Sequence, residues 1–232
     1  MHKIAIPDSV IDGVIAQRGK LNRYDHIVGP NAALVVIDLQ NVFMEPGMPV
    51  EVPTAREIVP NVNRLAAAMR DKGGKVVWVQ MTLNDQEQAW STFFAGEPRR
   101  EAFRQLQRGS HGHALYPTLD IKPDDLIVEK RRYSAFIQGS SDLDSILRGL
   151  GIDTVVITGT LTNVCCESSA RDAMMLNYKL VFVSDANAAL SDAEHNATLA
   201  TILRVFGDVA TTDEVMARFV AKREPTMAMA GA

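Results

Sequence analysis

Short, continuous runs of branched apolar residues recur along this chain and alternate with segments whose apolar residues fall at every third or fourth position. The runs are Ala33-Leu-Val-Val-Ile37, Lys75-Val-Val-Trp-Val79, Leu126-Ile-Val128, Asp153-Thr-Val-Val-Ile-Thr158 and Lys179-Leu-Val-Phe-Val183. A strand with one face in water alternates apolar and polar residues. Runs without alternation are therefore expected to be buried on both faces, as in a parallel sheet covered by helices. Between them, Thr54 to Asp71 carries Ile58, Val62, Leu65, Ala66 and Met69 at helical spacing and stops at Gly73-Gly74. Ser141 to Leu150, a segment opened by the capping sequence Ser191-Asp-Ala-Glu194, and Asp213 to Ala221 complete the helical set, with a short strand near Val209. The pattern predicts an α/β fold, a doubly wound parallel sheet of about six strands with helices on both faces.

A chain of 232 residues is long enough to bury a sizeable core, and it reads as one domain over residues 31–222. Residues 1–30 are expected to form a helix and an arm, and residues 223–232 a disordered tail. With 47% hydrophobic and 22% charged residues the composition is that of a globular protein. No apolar run approaches the roughly 20 residues that span a bilayer, which excludes a membrane-spanning chain. A net charge of −4 without a Lys/Arg cluster argues against nucleic acid or an anionic membrane as partner. The first residues lack a secretory apolar stretch, so the cytoplasm is the expected compartment, and a homo-oligomer, dimer or tetramer, is expected.

Ligands of an open parallel sheet bind beyond the carboxyl ends of its strands. Three reactive side chains fall there: Asp38 after the first run, Lys130 after the third, and Cys165 just after the fourth. Cys165 and Cys166, the only cysteines, sit where Gly159-Thr-Leu-Thr-Asn163 leads into a helix-like run. The first turn of a helix offers unpaired N–H groups and a positive dipole end, which favours a reactive thiolate. Each residue also has a plainer role, since an Asp can cap a loop, a Lys can reach water and a Cys can pack as a small hydrophobe. Together they supply a proton acceptor, a cation and a nucleophile.

Three ordered blocks carry a resemblance: Val35-Val-Ile-Asp-Leu-Gln-Asn41, Lys130-Arg-Arg-Tyr-Ser-Ala-Phe136, and Gly159-Thr-Leu-Thr-Asn-Val-Cys165 followed by Glu167-Ser-Ser-Ala-Arg-Asp172. They resemble the isochorismatase-like cysteine hydrolases, which include nicotinamidases, N-carbamoylsarcosine amidases, and ureidoacrylate and biuret amidohydrolases. The resemblance implies Asp38, Lys130 and Cys165 as catalytic residues, with an oxyanion hole from the backbone N–H groups of Leu161 and Cys165 beside a cis peptide at Thr160-Leu161. It implies no organic cofactor. Nicotinamidases in this family bind a metal through an Asp and two His after the second strand, and residues 82–90 contain no histidine, so no metal is expected. His111-Gly-His113 reads as surface loop, and none of the five histidines has a visible link to the strand ends.

The Lys130–Phe136 block and Leu143-Asp-Ser-Ile-Leu-Arg148 look most like ureidoacrylate amidohydrolases, which implies a linear ureide or carbamoyl amide as the small-molecule substrate. N-carbamoyl amino acid amidase and nicotinamidase-like activity are the alternatives. Candidate pocket residues are Phe43, Gln80, Trp90, Tyr133 and Phe136, near strand ends or in the irregular stretch from Met81 to Pro123. Two rivals stand outside this class: a binding protein that has lost turnover, and a thiol-redox protein using Cys165-Cys166. Adjacent cysteines lack the Cys-x-x-Cys spacing of thioredoxin-like enzymes.

Overall fold

A computed structural model of the chain describes residues 1–83 and 100–221. Six strands form one sheet: β1 (Ala32–Ile37), β2 (Lys75–Met81), β3 (Leu126–Lys130), β4 (Thr154–Thr160), β5 (Lys179–Ala188) and β6 (Asp208–Ala210). Their order is β3-β2-β1-β4-β5-β6, and every pairing is parallel. The predicted doubly wound sheet is thus observed. The order reverses direction between β1 and β4, which opens a crevice at the carboxyl ends of these two central strands.

The continuous apolar runs are explained by two-sided burial. In β1, Ala33, Val35 and Ile37 pack into one core layer, while Ala32, Leu34 and Val36 pack into the other. The first layer is closed by α1 (Asp8–Arg18), through Val10 and Val14, and by helices further along the chain. The second is closed by α2 (Val59–Asp71), through Val62, Leu65, Ala66 and Met69. Burying such a side chain contributes about 1.5–3 kcal/mol relative to leaving it exposed.

Helix boundaries depart from the sequence expectation where proline and polar caps intervene. Residues 53–56 form a separate 3₁₀ turn, and α2 starts only at Val59, with Pro60 in its first turn, where a missing N–H costs nothing. The helix expected from Ser141 starts at Leu143 as α3 (Leu143–Gly149), because the Ser141 hydroxyl accepts from the Leu143 N–H. The chain continues through α4 (Glu167–Met175) and α5 (Asp192–Thr201), whose Ser191 hydroxyl accepts from the Glu194 N–H as the capping sequence predicts. The last helix, α6 (Thr212–Arg218), carries a full capping box between Thr211 and Glu214. It is shorter than expected because Phe219 and Val220 pair in parallel with Ile27 and Val28, tying the N-terminal segment to the end of the domain. Among the described residues, no helix is long and apolar enough to cross a membrane.

The crevice depends on one glycine. Gly159 lies opposite Ile37 in the β1–β4 register with φ at +122°, and a Cβ there would stand 2.1 Å from the Ile37 carbonyl oxygen. Neither the backbone angle nor the space admits a side chain. Gly159→Ala is expected to destabilise the protein by at least about 2 kcal/mol in urea unfolding. Gly19→Ala, at φ +77° but facing open space, isolates the backbone cost and should lose about 1 kcal/mol. Equal losses at the two positions would show that close approach at Gly159 contributes nothing.

Candidate active site

The strand ends bring Asp38, Lys130 and Cys165 to one buried point. Asp38 follows β1 in the left-handed region, φ 57°, a conformation that Asp tolerates better than most residues, and its N–H donates to the Val79 carbonyl at 2.9 Å. Lys130 ends β3, two strand spacings from β1, or roughly 10 Å. Its stem crosses the end of β2, placing Nζ 3.4 Å from Met81 Sδ. From there the ammonium lies 2.8 Å from Asp38 Oδ2, 3.4 Å from Cys165 Sγ and 3.0 Å from the Arg132 carbonyl that accepts from it. The 2.8 Å contact pairs the two charges, and the Asp38 carboxylate also stands within reach of the Cys165 thiol.

Charge balance in this enclosure sets the resting state. Burial pushes the Asp38 carboxyl above its ordinary range, with the Lys130 cation opposing. Burial also disfavours the Lys130 ammonium, and the Asp38 and Cys165 partners outweigh it, so the lysine is held above its ordinary value and stays charged. Burial, followed by the Asp38 anion, pushes the Cys165 thiol well up despite Lys130. This corrects the expectation of a helix-activated thiolate. The thiol rests neutral because Lys130 is already neutralised by Asp38, and a second buried anion has no cation of its own.

The turn that carries the thiol is also tighter than a simple helix start. The Thr160-Leu161 peptide is cis, Thr162–Cys166 form a π-helical turn, and α4 begins only at Glu167. Ser169 anchors this turn: its hydroxyl donates to the Cys165 carbonyl at 2.7 Å and accepts from the Ala135 N–H at 3.0 Å. The Thr162–Cys166 turn and the Lys130–Phe136 loop are thereby joined. Cys166 is fully buried and its thiol faces the Thr158 carbonyl at 3.9 Å, whereas Cys165 retains 8% exposure.

The pocket candidates divide. Tyr133 and Phe136 pack in the core layer that contains Cys165, and the Phe136 ring lies 5.6 Å from that of Tyr178. Phe43 belongs to a separate apolar group with Val42, Met81, Leu83 and Leu106. Gln80 donates to the His113 carbonyl at 2.8 Å, an anchor for the 111–115 loop. Trp90 and the tail lie outside the described residues. Two further residues escaped the sequence reading. Gln40 is fully buried, donates to the Met81 and His113 carbonyls and accepts from the Met81 N–H, which locks the ends of β1 and β2 together. His195 is buried beside the Thr162–Cys166 turn, 2.9 Å from the Thr162 hydroxyl, a link to the site that the sequence did not show. Its position on α5 hides this from local patterns.

His111 does lie at the surface, paired with Glu45. His113 does not: it is buried, with Nε2 2.7 Å from the Thr82 hydroxyl. Among the described residues no three His, Cys, Asp or Glu side chains converge as metal ligands.

Removing the cation exposes the cost of the enclosure. Lys130→Met leaves an unpaired buried carboxylate and should cost about 3–5 kcal/mol near neutral pH. With the folded-state pKa of Asp38 raised further above its unfolded value, the folded variant binds more protons than the unfolded chain between those two values. The deficit should therefore shrink as pH falls through that window, as read by chemical denaturation at several pH values. A pH-independent deficit would argue against an ionised Asp38.

The isochorismatase domain matches residues 32–214. Among solved structures, a cysteine hydrolase from Pseudomonas syringae pv. phaseolicola 1448A is 32% identical with a TM-score of 0.76, covering 85% of this chain and 96% of its own. The N-carbamoylsarcosine amidase of Thermoplasma acidophilum is 28% identical, TM-score 0.64, over 79% of this chain and 97% of its own. The pyrazinamidase of Pyrococcus horikoshii, solved in complex with zinc, is 26% identical, TM-score 0.68, over 78% and 99%. The domain match opens on the first residue of β1 and runs through all six strands to the start of α6, so the chain belongs to the isochorismatase family.

Proposed function

We propose that this protein is a cysteine-dependent amidohydrolase that releases ammonia from a small linear ureide or carbamoyl amide. The observation that carries the reading is the single buried ammonium of Lys130, in contact with both Asp38 Oδ2 at 2.8 Å and Cys165 Sγ at 3.4 Å. Asp38 accepts the Cys165 proton as sulfur attacks the substrate carbonyl carbon, so the thiolate forms only as the C–S bond does. Lys130 stabilises the anion throughout. The backbone N–H groups of Leu161 and Cys165 are the proposed donors to the carbonyl oxygen as it becomes an oxyanion. Protonated Asp38 then gives its proton to the leaving nitrogen, the C–N bond breaks, and ammonia departs from a thioester. Water, losing a proton to Asp38, attacks that thioester, the C–S bond breaks, and the proton returns to sulfur.

The ureide assignment rests on Cys165, which suits acyl transfer, on the Lys130–Phe136 block, and on likeness to an N-carbamoylsarcosine amidase. The Leu143–Arg148 similarity carries less. Leu143 and Leu147 are core residues, Asp144 accepts from the Tyr178 hydroxyl at 2.7 Å, and the Arg148 guanidinium covers the Tyr178 ring at 4.1 Å. These contacts serve packing of α3. Likeness to a zinc-bound pyrazinamidase favours the second reading, an aromatic amidase, which the lack of histidine in residues 82–90 opposes.

Cys165→Ala is expected to abolish ammonia release and labelling by iodoacetamide, whereas Cys166→Ala, altering a thiol that faces β4, should keep both. The reverse pattern would move the nucleophile. Across biuret, triuret, ureidoacrylate, N-carbamoyl amino acids and nicotinamide, kcat/KM should be highest for a ureide or carbamoyl compound and survive EDTA followed by dialysis. Preference for nicotinamide, with activity lost to EDTA and restored by zinc, would establish the second reading instead.

A further inference from the structure

We infer that His195, with His2 of the N-terminal arm stacked on it, is a positioning pair that holds the nucleophile turn through Thr162. The tautomers follow from the partners. His195 Nε2 lies 2.9 Å from the Ser184 carbonyl, which only accepts, so Nε2 carries the proton. Nδ1 is then an acceptor, and the Thr162 hydroxyl donates to it at 2.9 Å. Thr162 is itself buried, directly after Leu161 and three residues before Cys165. Burial above all pushes His195 down to about 4, so at neutral pH the ring is uncharged and Nδ1 is free to accept from Thr162.

His2 closes the outer side of that ring. The two imidazoles stack with centroids 4.3 Å apart and planes 18° from parallel. His2 Nε2 accepts from the Ala189 N–H at 2.9 Å, which leaves the proton on Nδ1, and Nδ1 donates to Asp192 at 2.7 Å. The arm is further tied to α5 by the Lys3 and Ala5 N–H groups on Asp192 and Asn196, and by Asn196 on the Lys3 carbonyl. Ala189 follows the carboxyl end of β5, so the arm is docked on the same rim as the site. Neither histidine touches Asp38, Lys130 or Cys165. Their effect on rate runs through the orientation of the Leu161–Cys165 turn, and this role rests on Cys165 being the nucleophile.

The test uses the full chain in a Cys166→Ala background, measuring kcat and KM for ammonia release and the rate of Cys165 labelling by iodoacetamide. Thr162→Val, which removes the hydroxyl at nearly constant shape, should lower kcat about tenfold and slow labelling, with KM changed less than about twofold. Thr162→Ser should restore most of the rate, and His2→Ala should lower kcat about threefold. If Thr162→Val does not fold, His2→Ala carries the same measurement. A lower melting temperature with kcat and labelling rate unchanged would make the pair purely structural and overturn the inference. Wild-type protein whose Cys165 is not labelled, and whose Cys165→Ala variant is fully active, would overturn the nucleophile reading beneath it.

Discussion

A lysine ammonium with no exposed surface has to be neutralised within the protein, and at Lys130 the neutralising group is Asp38. Much of the structure around the sheet's carboxyl edge is arranged by that requirement. The carboxylate must be aimed back at the strand ends, hence the left-handed backbone at Asp38. The lysine must cross β2, hence its place at the end of an outer strand whose neighbour offers the soft sulfur of Met81 along the way. A buried pair of this kind is weak evidence for stability, because desolvation offsets most of the attraction. What the pair does place together is a carboxylate and an ammonium within reach of one thiol.

The raised thiol and raised carboxyl form one coupled system. A thiolate here would make two buried anions for one cation, so burial and the Asp38 carboxylate together favour the protonated Cys165 thiol. Cys166, in the next position, is fully buried with its thiol toward the Thr158 carbonyl.

Geometry at the site is held by polar side chains that bridge segments far apart in sequence. Gln40 joins β1 to β2 and to the 111–115 loop, and Ser169 joins the Thr162–Cys166 turn to the Lys130–Phe136 loop. Thr162 joins the same turn to α5 through His195. A buried amide or hydroxyl left without a partner costs about 1–3 kcal/mol, so each bridge also selects one arrangement of its loop over others. The pocket candidates Gln80 and Phe136 are engaged in such supporting contacts, a role that residue type and loop position do not reveal.

By itself the sequence determined the layered α/β architecture, because runs without alternation, such as Ala33–Ile37, can be buried only between two layers of helices. It also placed Asp38, Lys130 and Cys165 at strand ends, since strand termini and helix starts are local events marked by Gly, Asp and capping residues. Proton positions were beyond it. Whether Cys165 rests as thiol or thiolate depends on which charges lie within a few ångströms, and those come from three separate strands and loops. The link from His2 through His195 to Thr162, and the pairing of Ile27–Val28 with Phe219–Val220, likewise join residues separated by most of the chain. Contacts of that range leave no periodic trace, and only the tertiary structure decides them.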